Sequence, residues 1–188
     1  MFDEHGKPKY QFPAQVHDVK CAVRWLRANA KKYKIDPNRI GAVGYSSGGY
    51  LSLMLGLTDP SDGLEGECGD LQHSSSVQAV VNMAGPTVLK YLGTVRWCIS
   101  FLGGTPEEVP EVYRMASPIN YVSNDDPPVL IIHGDSDGIV PLKHAELLDL
   151  KMNEAGAVHT FIIKKDRGHG VFVDNDVWDF FDKHLKGK

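Results

Sequence analysis

Arg39-Ile40-Gly41-Ala42-Val43-Gly44-Tyr45-Ser46-Ser47-Gly48-Gly49 is the stretch whose reading decides the architecture. Arg39 to Tyr45 is a short apolar run that follows the punctuation Asp36-Pro37-Asn38, the pattern of a buried strand. A helix begins near Ser46 and continues through Leu51 to Leu57. Strand, sharp turn and helix therefore follow one another, and the turn is a G-x-S-x-G. Such a turn is tight enough to strain its central serine, so the residues two before and two after must be small. Gly44 and Gly48 meet that need in only one register, which selects Ser46 over Ser47 as the exposed nucleophile. The backbone N–H of Ser47, at the helix start, faces the place where an oxyanion would form.

Working outward, three more apolar runs read as strands: Val77 to Met83, Pro128 to His133, and His159 to Lys164. Helical stretches separate them. Val16, Val19, Val23, Leu26, Ala30 and Tyr33 recur at helical spacing, with Asp18, Lys20, Arg24 and Lys31 between them as a polar face. Pro141 opens a helix that runs through Ala145, Leu148 and Met152 to Ala155 and stops at Gly156. Val173, Val177, Phe180, Phe181 and Leu185 stripe a C-terminal helix. Residues 58–76 read as loop, and 87–126 as an irregular, lid-like insertion with a helical piece around 88–101. Strands alternating with helices predict an open parallel sheet of about four strands with helices on both faces. In such sheets chemistry gathers beyond the carboxyl ends of the strands.

Two of those ends carry titratable groups. The third run leads into His133-Gly134-Asp135-Ser136-Asp137-Gly138, where either aspartate can orient a histidine and spacing does not choose between them. An aspartate that does not is expected to hold the turn by Asx hydrogen bonds, the role expected of Asp135. The fourth run leads into Gly168-His169-Gly170, a histidine between glycines with little packing purpose. His17, His144 and His184 read as helix residues with exposed neighbours, and His159 begins a strand. His5 and His73 lie in polar loops, and His133 reads as a structural histidine. That leaves His169 as the base. The order serine, aspartate, histidine on three strand-end loops is the order of neither chymotrypsin nor subtilisin.

The bulk properties narrow the class. With 188 residues, 42% apolar, the chain has material for one sizeable core and not two. A formal net charge of −4 without runs of like charge predicts no nucleic-acid or membrane partner. Lys31, Lys32 and Lys34 read as a solvated helix end. No apolar run reaches membrane-spanning length, and the polar start Met-Phe-Asp-Glu-His-Gly is no signal peptide, so a cytoplasmic location is the default. Cys21, Cys68 and Cys98 are odd in number and show no metal-ligand or disulfide spacing; Cys21 reads as a small buried residue. No metal and no cofactor is expected.

The segments FPAQVHDVKCAVRWLRANAKKYKIDPNRIGAVGYSSGG, ASPINYVSNDDPPVLIIHGDSDGIVPL and GHGVF, from Phe12 onward, resemble the α/β-hydrolase family of small esterases and acetyl-esterases, including those acting on acylated carbohydrates. The resemblance implies a serine hydrolase of short-chain carboxylic esters with a small ester as its partner. It maps the catalytic acid onto Asp137, giving Ser46, Asp137 and His169 as the catalytic set. Members of that family carry further strands and an HGG-type loop ahead of the matching region, the loop supplying a second oxyanion donor. The resemblance therefore implies that residues 1–188 form one partial hydrolase domain; His5-Gly6 reads as a turn, not as that loop. Loss of one oxyanion donor lowers rates on the order of 10²–10³-fold, so a weak or inactive half-hydrolase needing a partner is a competing expectation. So is a prolyl-oligopeptidase-like peptidase. A first strand without a neighbour predicts self-association through the sheet edge. Tyr91, Trp97, Phe101 and Tyr113 are expected to serve core and lid before any acyl pocket.

Overall fold

The computed structural model describes residues 10–171 and 173–187; His5-Gly6 and Phe172 lie outside the described residues. The four expected strands are present as β1 (Gly41–Tyr45), β2 (Ala79–Met83), β3 (Val129–Gly134) and β4 (His159–Lys164). They form one parallel sheet in the order β1-β2-β3-β4. Alternation along the strands divides the core in two. Val80, Val129 and Ile131 pack with Leu53, Leu55 and Leu57 of α3 (Ser47–Leu57) and with Ala145, Leu148 and Met152 of α6 (Lys143–Ala155). Ala79, Val81, Met83, Leu130 and Ile132 face the other way, against Val177 and Phe180 of α7 (Asn175–Phe181). Helices thus cover both faces, as the strand–helix alternation predicts.

The N-terminal helical pattern resolves into α1 (Ala14–Ala28) and a single turn α2 (Ala30–Tyr33), with Lys34 left-handed beyond it (φ 56°). The polar face expected of α1 is only partly exposed. Lys20 and Arg24 are each 1% exposed, because the loop 58–76 folds over them. Glu65 of that loop takes Lys20 Nζ at 2.6 Å and Arg24 Nη1 at 2.7 Å. Arg24 also donates to the carbonyls of Glu65 and Cys68, and Lys20 to that of Thr58. Burial pushes the Glu65 carboxyl up, but the bonds from Lys20 and Ser75, with the charges of Lys20 and Arg24, hold it below its ordinary range.

The same loop corrects the reading of the cysteines. Cys21 on α1 and Cys68 are joined in a disulfide, and Cys98 is the free, buried thiol. The pairing spans 47 residues of sequence, so spacing does not announce it; the fold creates it by laying the loop along α1. On the chain-entropy account a cross-link of that span stabilises by about 4 kcal/mol.

The insertion 87–126 is less regular than one helix. A 3₁₀ turn (Leu89–Leu92) ends at Gly93, and two short helices follow, α4 (Arg96–Leu102) and α5 (Pro110–Met115). Its inner side closes a third apolar cluster around Tyr50, Met54, Leu89, Cys98, Leu102 and Tyr113. At the C-terminus α7 begins at Asn175, with Asp174 accepting the N–H of Asp176. Val173 therefore precedes the helix instead of joining its stripe. A wider turn, Asp182–Lys186, carries the helical path on to Leu185.

At the end of the sheet away from the catalytic candidates, burial lifts the Asp126 carboxyl to about 6, against hydrogen bonds from the N–H and Oγ–H of Ser123. A raised folded-state value gives stability that is full below the ordinary carboxyl range and is lost as pH rises through about 6. Asp126→Asn should therefore raise the melting temperature at pH 8 by about 2–4 °C and leave it nearly unchanged at pH 4. Equal gains at both pH values in calorimetry would contradict this.

Candidate active site

The carboxyl ends of β1, β3 and β4 converge, and the turn after β1 explains how. Ser46 adopts φ 55° and ψ −120°, backbone that a non-glycine residue occupies only under strain, on the order of 1–3 kcal/mol. The Ser46 N–H is held by the Met83 carbonyl at 2.8 Å and its own carbonyl accepts from Tyr50 at 3.0 Å. A β-carbon on Gly44 would sit 2.1 Å from the Gly48 backbone. Gly48 itself faces open space; the close approach is at Gly49, where a β-carbon would meet Asn82 Oδ1 at 2.5 Å. The requirement for a small residue thus falls on Gly44 and Gly49, which corrects the pairing of Gly44 with Gly48. Gly44→Ala should cost most of the folded protein or its activity, whereas Gly48→Ala should keep its melting temperature within about 1 °C, a change on the scale of an ordinary surface substitution. Thermal denaturation of both variants checks the contrast.

Two backbone bonds clamp the aspartate loop to the histidine loop: Asp135 N–H to Lys164 O at 3.2 Å and Ser136 N–H to Arg167 O at 2.9 Å. Gly134 permits this, since a β-carbon there would lie 2.3 Å from the Arg167 carbonyl. The clamp sets Asp137 opposite His169, with Asp137 Oδ2 at 2.8 Å from Nδ1. On the other side of the ring, Nε2 is 2.8 Å from Ser46 Oγ. The carboxylate can only accept at neutral pH, so Nδ1 donates to Asp137 and Nε2 accepts from Ser46.

Asp137 has a buried side chain, and its Oδ1 accepts the N–H groups of Ile139 and Val140 at 2.9 and 3.0 Å. Burial raises its carboxyl, but the bonds from His169, Ile139 and Val140 outweigh that and hold it below the ordinary range. The Asx-type bonds expected of Asp135 are therefore made by Asp137, while Asp135 accepts from the Ser136 hydroxyl. The other described histidines lie outside this line. His144 departs from expectation: it is fully buried, its Nδ1 taking the N–H groups of Thr87 and Val88.

Beside Ser46 opens a cavity of about 430 Å³ bordered by Gln15, Ser47, Leu51, Leu89, Trp97 and Phe101. Trp97 and Phe101 of the insertion border this pocket, Phe101 packing also on the apolar cluster beneath it, whereas Tyr113 is core and donates its hydroxyl to Gly104 O. Ser47 opens α3 and borders this cavity, and its N–H, in the first turn, has no intrahelical acceptor. Tyr45, whose ring lies 5.0 Å from that of His169, was not foreseen; its place next to the serine is the only sequence sign of it. Among the described residues no group of His, Cys, Asp and Glu is arranged to hold a metal ion, and no helix is long and apolar enough to cross a membrane.

Comparison with known proteins gives a consistent set. Residues 5–152 match the model of the BD-FAE family. Esterase LipC of Mycobacterium tuberculosis is 34% identical over 152 residues, 76% of this chain and 37% of LipC. A structure described as a truncated form of carbohydrate esterase from gut microbiota superposes with a TM-score of 0.85 at 37% identity, covering 94% of this chain and 70% of that one. An acetyl ester-xyloside bifunctional hydrolase from Caldicellulosiruptor lactoaceticus gives 0.75 at 28% identity, covering 95% of this chain and 66% of that one. The chain spans only about two fifths of the length of the curated esterases LipC and LipQ.

Proposed function

The chain belongs to the BD-FAE family of hydrolases, and on that premise we propose that it hydrolyses carboxylic esters with short acyl groups through an acyl-enzyme on Ser46. The observation that carries this reading is the unbroken line Ser46 Oγ, His169, Asp137, with 2.8 Å at each junction. His169 Nε2 takes the Ser46 proton as Oγ attacks the acyl carbonyl. The oxyanion gathers at the Ser47 N–H, and His169 returns the proton to the departing alcohol. Water, deprotonated by the same nitrogen, then attacks the acyl-enzyme and releases the acid and the serine. Asp137 keeps the proton of the resting imidazole on Nδ1 and stabilises the imidazolium. Leu51, Leu89, Trp97 and Phe101 form the apolar wall against which the acyl group rests, which makes the insertion 87–126 a lid on one partial hydrolase domain.

Turnover of p-nitrophenyl acetate and butyrate, beside Ser46→Ala, tests the proposal. Hydrolysis that the variant lacks supports it; a folded wild-type protein with no hydrolysis above the variant sinks it.

We also infer that two copies associate through the β1 edge. Among the described residues β1 is bonded to β2 on one side only, and Val43 and Tyr45 on it are 46% and 40% exposed. An apolar, unpaired parallel edge of this kind readily accepts a further strand. Static light scattering should give the mass of a dimer or larger; a stable monomer across the micromolar range contradicts it.

A further inference from the structure

Two buried histidines next to Asp137 have no part in the proton transfers above: His133 at the end of β3 and His144 in the first turn of α6. Their partners fix their tautomers. His133 Nε2 lies 2.8 Å from the Val140 carbonyl, which can only accept, so Nε2 carries the proton. The same nitrogen, its N–H directed to Val140, is 3.2 Å from Asp137 Oδ2, close enough for its dipole to act on that oxygen. Nδ1 of His133 is then a bare lone pair, buried and without a partner among the described residues. His144 is the reverse case. Its Nδ1 accepts from Thr87 N–H at 3.1 Å and Val88 N–H at 3.3 Å, which leaves its proton on Nε2, also buried and without a partner there. Burial keeps both rings neutral at pH 7, lowering His133 and bringing His144 down to about 4.

We propose that His133 is a positioning residue for Asp137, held in its working tautomer by the Val140 carbonyl. The proposal rests on Asp137 being the carboxylate that orients His169. Asp137 Oδ1 is pinned by two backbone N–H groups and Oδ2 takes the proton of His169, while the His133 N–H dipole lies 3.2 Å from that same oxygen, so the carboxylate is held toward the imidazole.

The test compares the whole chain with His133→Leu, His133→Gln and His133→Phe. Two readouts are used: kcat and KM on p-nitrophenyl acetate, and the downfield proton NMR signal of the His169–Asp137 hydrogen bond. Loss of the donor in His133→Leu should lower kcat about 10–100-fold, the scale of a misplaced catalytic group, with KM within about twofold. The signal should move or vanish. His133→Gln, which can donate from nearly the same position, should return kcat to within about threefold and restore the signal. His133→Phe, a ring without the donor, should behave as His133→Leu. General destabilisation would lower the melting temperature without the split between kcat and KM. Wild-type kcat and an unchanged signal in His133→Leu overturn the proposal, as does failure of a folded glutamine variant to rescue. Should His133→Leu not fold, the glutamine and phenylalanine variants decide alone. If the wild-type chain hydrolyses no ester, the esterase reading fails, and the NMR signal still decides whether His133 holds Asp137.

Discussion

Replacing His169 by alanine should lower kcat for a short p-nitrophenyl ester by about 10⁶-fold, the full loss seen when a triad base is removed. The size follows from the geometry. Ser46 Oγ has one side-chain partner, Nε2 of His169 at 2.8 Å, and an alkoxide does not form at neutral pH without a base in contact. Neither buried imidazole nearby substitutes, because the Nε2–H of His133 is committed to the Val140 carbonyl and Nδ1 of His144 to two backbone N–H groups. The fold should tolerate the change, since the loop is held by backbone bonds from Asp135 and Ser136 that do not involve the ring. A variant that melts like the wild type yet keeps more than a hundredth of its kcat would contradict the assignment.

Asp137→Asn should give the second largest effect, a fall in kcat of about 10⁴-fold with the backbone unchanged. The asparagine oxygen can still accept from Ile139 and Val140, which leaves its amide N–H₂ facing Nδ1 of His169. Two donors cannot meet, so the imidazole moves its proton to Nε2 and presents an N–H to Ser46 where an acceptor is required. Linkage adds a second readout. The Asp137 carboxyl is held below its ordinary range, so its contribution to stability is present above that range and is lost as pH falls through the lowered value. The melting temperature of Asp137→Asn should therefore lag the wild type most at neutral pH and converge with it in acid.

What was legible in the sequence was whatever repeats locally. The four apolar runs became four strands, and His159–Lys164 kept its bounds, because burial between two helical layers demands continuous apolar residues. Ser46 and His169 were legible because glycines around a polar residue at a strand end have few other uses. Features created by contact at a distance were not. Lys20 and Arg24 look like solvent-facing residues until Glu65 arrives from a loop that has no pattern of its own. Cys21 meets Cys68 for the same reason. His144 looks like the exposed start of a helix, and only the return of the β2 loop buries it. At the serine turn, identity alone did not tell Gly48 from Gly49, since the clash that matters is with Asn82 on the neighbouring strand.

The most direct test of the central claim is the site of covalent capture. The folded chain would be treated with a fluorophosphonate, digested, and its adduct located by fragment-ion mass spectrometry. The Ser46–His169–Asp137 line predicts one adduct, on Ser46, absent after His169→Ala. An adduct on Ser47, or none on folded protein, would contradict it.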